Sequence, residues 1–582
     1  MGDAGDGGSA DTMRPSSVYT VPFGRDLCDE TVELILRRVG DDLLALSDAI
    51  ILLPNNRAIT AMRDAFVRRA APGLLMPRLT AIGDLALDET LGPLLDPIAD
   101  DAAIPALIAP LNRQLTLADM IVRQYAARDR KLEPTEAMRL ARLMAQLIDE
   151  LDIEQKTLAD FQALSGERQI SDDPDLAAHW QGSYTMLLEI LPAYLARMDM
   201  LGAAGPAARR NILLARLAAR MRAGDFANPV FVSGISTAAP AIADLLKATA
   251  RMEKGHVILP PVDLAMNDAD WDALGPKAAE DGAKAQQGRE THPQFHLKLL
   301  LDRMGANRGE IALLGQASET PGAGAIAQIF CLPESSESWI DLPSEQKAMP
   351  NLRYLQAEDS AEEARSIALL VRQALEKPQQ RAAIVTPDRE LAVRISRQLN
   401  RWGINVDDSA GIPLLQTPPG TLLMACINGA AQRFTPASIL GIAKHPLVYQ
   451  GEGRREWLAN VRALDLELRG PAEGFGLAAI AKQLRTARDN ATRSTHTAEL
   501  NLLINWWDDV SKLLRPLEQA ASADVSAVIA AIATLLSELT GGAVWRGFAG
   551  RQLAAQFETF ATVQFALLGT VNREALPALF AE

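Results

Sequence analysis

RAAIVTPDRELAVRISRQLNRWGINVDDSAGIPLLQTPPGTLLMACI, residues 381–427, runs through an apolar stretch, a polar turn, an amphipathic segment and a second apolar stretch. Ala382 to Val385 is short and β-prone, and Thr386, Pro387 and Asp388 turn the chain. Leu391, Ile395 and Leu399 then recur at the spacing of one helix face, and Gly403 closes the helix. The order predicts strand, helix, strand: one βαβ unit. Such a unit needs a parallel sheet and a covering layer, so the expected class is α/β of the nucleotide-binding type.

The same grammar appears near the start of the chain. Val18 to Pro22 predicts a strand leading through Phe23, Gly24 and Arg25 into a helix over Leu27 to Val39. Ala49 to Pro54 predicts a second strand followed by a helix from Ala58 to Arg69, and Pro77 to Ile82 with Asp84 to Leu87 a third step. From about Asp101 to Ala223 the periodicity is helical throughout, as in Ala137 to Leu151. Strand signals return at Pro229 to Ser233 and His256 to Pro260, around a helix from Ala239 to Met252. A sheet interrupted by a helical insertion and then resumed accounts for this order. After a Pro-containing linker, Leu352 to Gln356 reads as a strand and Ser360 to Leu375 as a helix, and from Phe434 onward the pattern is helical again.

Composition bounds the reading. The 582 residues make roughly four domains at about 150 residues each, and 48% apolar content can build their cores. A net charge of -15 gives no whole-chain attraction to nucleic acid. Lys482, Arg485, Arg488 and Arg493 form a local basic run, which a solvated helix face also explains. Cys28, Cys331 and Cys426 lie far apart without a CxxC, so neither a disulfide framework nor a cysteine-only metal cluster is encoded, and a reducing cytoplasm fits. The Gly-rich acidic opening, residues 1–16, is expected to be disordered. The longest apolar run, Val525 to Leu536, is too short to cross ~30 Å of hydrocarbon.

Six places could carry chemistry. The loop at Gly24 and Arg25 stands where a phosphate loop would, but GxxxxGK[ST], with its Lys and magnesium-binding hydroxyl, is missing. The strand at Phe231 to Ser233 ends in Gly234, Ile235 and Ser236, where a motor ATPase needs a carboxylate for magnesium and water. Asp152, Glu154 and Lys156 resemble a metal-dependent nuclease fragment, although the exposed end of a helix explains them too. His292 and His296 have i, i+4 spacing, with Pro293 favouring a helix start over a metal site. Asp407 and Asp408 suit a capped turn. Trp506 and Trp507 suit helix packing, the alternative being base stacking.

Taken in order, several segments resemble the N-terminal part of the AddB family, the second subunit of the AddAB double-strand-break repair helicase-nuclease, in its alphaproteobacterial form. They are VYTVPFGRDL (18–27), AIILLPNNRA (49–58), LIDELDIEQ (147–155), PVFVSGISTAAPAIADLL (229–246), THPQFHLKLLLDRMG (291–305), VDDSAGIPLLQTPPGTLL (406–423) and FTPASILGIAKHPLV (434–448). The resemblance implies an inactivated superfamily 1 helicase-like protein with two RecA-like, P-loop-type domains, each carrying an inserted helical domain. It implies a first RecA-like domain over 17–100 and 224–345 with its insertion at 101–223, then a second over 346–430 with a truncated insertion at 431–582.

The function so implied is that of a non-motor scaffold in recombinational repair. It would bind an AddA-type motor subunit, DNA ends and single-stranded DNA. The family's magnesium-dependent nuclease site and iron-sulfur cluster lie in a C-terminal domain with no counterpart here, so no cofactor and no catalytic residue are carried over. The alternative from the residues themselves is an active ATP-dependent helicase with a divergent phosphate loop at Gly24 and Arg25. A scaffold with part of its second sheet lacking is expected to expose apolar surface and to aggregate.

Overall fold

The computed structural model describes residues 17–40, 43–69, 75–83, 104–163, 174–277, 287–316, 325, 328–347, 349, 352–378, 380–469, 474–521, 524–563, 565 and 571–582. The chain is mixed α/β and mostly helical, and it divides into two units. One comprises 1–348, 520–528 and 559–582; the other comprises 349–519 and 529–558.

The first unit is built on a sheet of six strands: β1 (Val18–Thr20), β2 (Ile50–Leu53), β3 (Arg78–Ala81), β6 (Val230–Ser233), β7 (Gly255–Leu259) and β8 (Ala312–Leu313). A separate pair, β4 (Ala106–Leu107) and β5 (Ala203–Ala204), lies within the intervening stretch. The sheet order is β3-β2-β6-β7-β1-β8, and every pairing is parallel. The expected segment at Asp84 to Leu87 lies outside the described residues, and β8 carried no signal in the sequence.

Alternation along each strand divides the core between two faces. Val18, Ile50, Leu52, Val230, Val232, Val257 and Leu259 point to one cluster, which the helices Pro206–Ala223, Pro240–Arg251 and Phe295–Met304 cover. Tyr19, Ile51, Leu53, Phe231 and Ile258 point to the other, under the helices Leu27–Val39 and Asn56–Arg69. A parallel sheet buried on both faces explains the unbroken apolar runs IILL and VFV.

Between β3 and β6 the described chain is largely helical, with long helices at Pro110–Ala126, Pro134–Ile153, Pro174–Leu201 and Pro206–Ala223. Two ties involving arginine anchor this stretch. Arg113 is buried and donates to both oxygens of Asp149 (2.9 and 2.8 Å) and to Tyr194 Oη (2.9 Å). Arg303, at the end of the helix Phe295–Met304, bonds to Glu154 (2.7 Å) and to the carbonyl of Ala238.

The second unit departs from the βαβ expectation. Among the described residues neither 352–356 nor 382–385 joins any sheet, and LLMACI is the middle of a helix, Pro418–Ala431. Thr417 caps that helix, accepting from Gly420 N, and Pro418 and Pro419 open it. Leu422, Leu423, Cys426 and Ile427 bury at helical rather than alternating spacing. The two earlier runs have strand composition, but a strand exists only where a neighbour supplies its hydrogen-bond partners.

The expected amphipathic helix forms. Arg389–Asn400 buries Leu391, Ile395 and Leu399 against Ala364 and Ala368 of the helix Ser360–Leu375. Large apolar side chains beside this pair stay in solvent, Tyr354 at 87% and Val385 at 95% exposure. The rest of the unit is helical, with Trp507 fully buried.

Phe231 is fully buried in the centre of the first sheet. Phe231→Ala is expected to cost about 3–5 kcal/mol in a denaturant titration of the first unit. Tyr354→Lys combined with Val385→Lys is expected to lower concentration-dependent light scattering without reducing helicity, because both residues are exposed and unpaired.

Candidate functional site

The loop joining β1 to the helix Leu27–Val39 is the place to look for nucleotide chemistry. Thr20 fixes its start, donating through Oγ1 to the carbonyl of Pro260 (2.8 Å) and accepting from Val262 N (2.9 Å). Gly24 turns the chain at φ +85°, a conformation costly for residues with a Cβ, and Arg25 N closes the turn on the carbonyl of Pro22 (3.2 Å).

A helix N-terminus offers free N–H groups and positive potential to an anion. Here Asp26 occupies that place. One of its oxygens accepts from Cys28 N (2.9 Å) and Asp29 N (3.1 Å), so the carboxylate sits where a phosphate would. Asp29 and Glu30 add negative charge to the first turn. Burial alone would raise the pKa of Asp29, but ion pairs to Arg68 (2.6 Å) and Arg69 (3.3 Å) outweigh it and hold the carboxyl below its usual range.

Arg25 is turned away from any phosphate position. Its Nε donates to the carbonyl of Gln316 (3.3 Å), and its guanidinium lies 3.8 Å from the buried Glu30. Glu30 in turn packs so closely on Gly315 that a Cβ there would come within 2.6 Å of its carboxylate. The loop therefore works as a strut between β1, the helix and the segment after β8.

The end of β6 is neutral. Ser233 Oγ pairs with Thr31 Oγ1 at 2.9 Å, both buried, where a motor would place a carboxylate and a metal-bound hydroxyl. Gly234 follows at φ +79°, and a Cβ on it would meet Leu27 at 3.3 Å and Pro54 at 3.7 Å.

The structure does not bring together the other residues singled out from sequence. Glu154 is engaged by Arg303, and Asp149 by Arg113, while Lys156 is exposed past the helix end. Burial pushes the pKa of Asp152 up to about 6, with the charge of Asp149 adding to the rise and Arg113 opposing it. His292 precedes the helix Phe295–Met304. Its Nε2 meets the carbonyl of Phe330 (2.5 Å), and its Nδ1 accepts from Gln294 N (3.1 Å), leaving His296 exposed on the first turn. Asp408 forms a two-point pair with Arg389 (3.0 and 2.8 Å) and caps Ala410 N. Arg485 pairs with Asp508 and Arg488 with Asp489, as on a solvated helix face.

The three cysteines are thiols, in no disulfide. Cys426 is wholly buried in its helix, which pushes its thiol up to about 12, and Cys28 and Cys331 are half-buried elsewhere. Among the described residues no three His, Cys, Asp or Glu side chains gather as a metal site would require. No helix among them is long and apolar enough to cross a membrane. Comparison of the chain with protein-family models and with curated proteins finds no match.

Two groupings carried no signal in the sequence. His256 on β7 stacks on Phe231, ring centroids 5.0 Å apart, beside Tyr19 at 5.9 Å. Burial, with a smaller contribution from the charge of Arg38, pushes its pKa down to about 4. In the other unit Tyr449 stacks on Trp457 at 4.0 Å and 11°, with Trp506 edge-on to Trp457 at 5.0 Å. These partners are 8 and 49 residues apart along the chain, a relation no local periodicity reports.

The lowered pKa of His256 makes stability depend on pH. Between about 6.5 and 4 the unfolded chain takes up a proton at this residue and the folded chain does not. Its contribution is therefore present above pH 6.5 and lost as pH falls towards 4. In paired denaturant titrations, His256→Phe is expected to gain stability relative to the natural chain as pH falls through that window, with a constant difference above it.

Proposed function

We propose that this chain is the helicase-like scaffold of a non-motor subunit in a DNA-end-processing helicase-nuclease, binding a motor subunit and single-stranded DNA. The observation that carries the reading is a six-stranded parallel sheet whose phosphate-side loop is sealed by its own Asp26 carboxylate. The strand order supports a RecA-like core. β1, which feeds the loop, is separated by β7 alone from β6, whose end would face the same phosphates in a motor.

Further support comes from the path of the chain, which leaves this sheet after β3, builds a helical stretch and re-enters at β6. That is the layout the AddB-type resemblance implies. The partners in this reading, an AddA-type motor and DNA ends, come from that resemblance. The net charge of -15 gives no whole-chain attraction to DNA, so in this reading the DNA contact is local.

An active helicase would need Gly24 and Arg25 free to approach a triphosphate, and Arg25 is already spent on Gln316 and Glu30. ATP turnover by the chain, with magnesium and single-stranded DNA present, is expected to stay at background. Co-expression with a motor helicase-nuclease subunit is expected to give a stable complex in equal amounts. Saturable ATP binding that disappears in Arg25→Ala would replace this reading with that of an active helicase.

A further inference from the structure

The loop between the helices Pro436–Lys444 and Arg454–Glu467 is held more tightly than a surface connection requires. Tyr449 sits within it at φ +49°, a left-handed conformation that bulky side chains rarely adopt. Several bonds impose it. Tyr449 N donates to the carbonyl of Leu539 (2.9 Å), far along the chain. Arg454 reaches back to the carbonyls of Val448 (2.5 Å) and Lys444 (3.0 Å), clamping the loop at two points.

The result is a presented ring. One face of Tyr449 lies parallel on Trp457 at 4.0 Å. Trp457 is itself immobilised, because its indole N–H donates to the carbonyl of Ala443 (2.8 Å) and Trp506 packs against it edge-on. Tyr449 nevertheless keeps 40% of its surface exposed. A phenol that served only to pack would gain by turning further inward, and no backbone strain would be needed to keep it out.

We propose that Tyr449, backed by Trp457, is a stacking platform for an unpaired base of single-stranded DNA. This rests on the scaffold reading above and names a contact for it. The ligand class comes from that reading, and the mode of contact from the geometry. A held aromatic pair whose outer ring stays 40% exposed suits a planar π-system. In that reading the chain's net charge of -15 offers no general attraction to phosphates, and a ring contributes by stacking on a base. Trp507, the neighbour that sequence reasoning paired with Trp506, is fully buried and takes no part.

The test is fluorescence titration of the chain with oligothymidylate, read by its anisotropy and by tryptophan emission. Tyr449→Ala is expected to weaken binding about tenfold, and Tyr449→Phe to leave it near the natural value. Tyr449→Gly removes the ring and the left-handed strain together, so it should lose the same affinity without lowering the melting temperature. If Tyr449→Ala does not fold, Tyr449→Leu, apolar but not planar, serves instead.

Undiminished binding by a folded variant without the ring overturns the platform and leaves the scaffold reading standing. Failure of the natural chain to bind oligothymidylate overturns both the platform and the single-strand part of that reading, while complex formation with the motor judges the remainder. A variant that loses affinity only in proportion to a lowered melting temperature also overturns the platform, because the ring would then be packing alone.

Discussion

Parallel strands cannot be joined by a tight turn, so each pairing in the first unit must be reached by a crossover, and the longest crossovers govern the rest. β1 pairs with β7, matching Val18 to Val257 and Thr20 to Leu259, and β2 pairs with β6, matching Ile50 to Val230. These contacts span the whole helical stretch between β3 and β6. They explain why the sheet is unbroken in space although the chain leaves it for well over a hundred residues. They also explain why both faces need helices: unpaired backbone and apolar side chains would otherwise meet water.

The same pairings set the chemistry of the loop side. With β1, β7 and β6 adjacent, the Leu27–Val39 helix starts over the strand ends, where an anion would be favoured by the helix dipole. The chain spends that favourable position on itself. Asp26 caps the helix, Arg25 braces Glu30 and Gln316, and Thr31 and Ser233 share a hydrogen bond between neutral hydroxyls. Each group that would grip phosphate or metal in a motor is replaced by one that joins two elements. The loop side is thereby a structural joint between β1, the helix Leu27–Val39 and the segment after β8.

The second unit shows what happens to strand-like sequence when partners are lacking. The runs at 352–356 and 382–385 are apolar and β-prone, yet among the described residues they pair with nothing. The helices between and after them still form, because an amphipathic helix satisfies its own backbone and needs only one apolar partner face, here Ala364 and Ala368 against Leu391, Ile395 and Leu399. The aromatic group at Tyr449 depends on a different kind of closure, in which a strained backbone is over-determined by bonds from Leu539 and Arg454.

Local pattern was enough for the helices and for most of the first sheet. Buried runs such as Ile50–Leu53 and Val230–Ser233, and the four-residue spacing of Leu391, Ile395 and Leu399, report the faces they bury. The missing Lys and missing acid at the loop were equally legible, because a phosphate site needs particular residue types at fixed spacing. Sequence misled at 381–427, where the expected second strand is absent among the described residues and Thr417, Pro418 and Pro419 instead start a helix. Only the tertiary structure decided strand order, the seating of Asp26 on the helix amides, the capture of Glu154 by Arg303, and the Tyr449–Trp457 stack. Periodicity describes which side of an element is apolar. It carries no information about which distant element meets that side, because that is set by the packing of the whole chain.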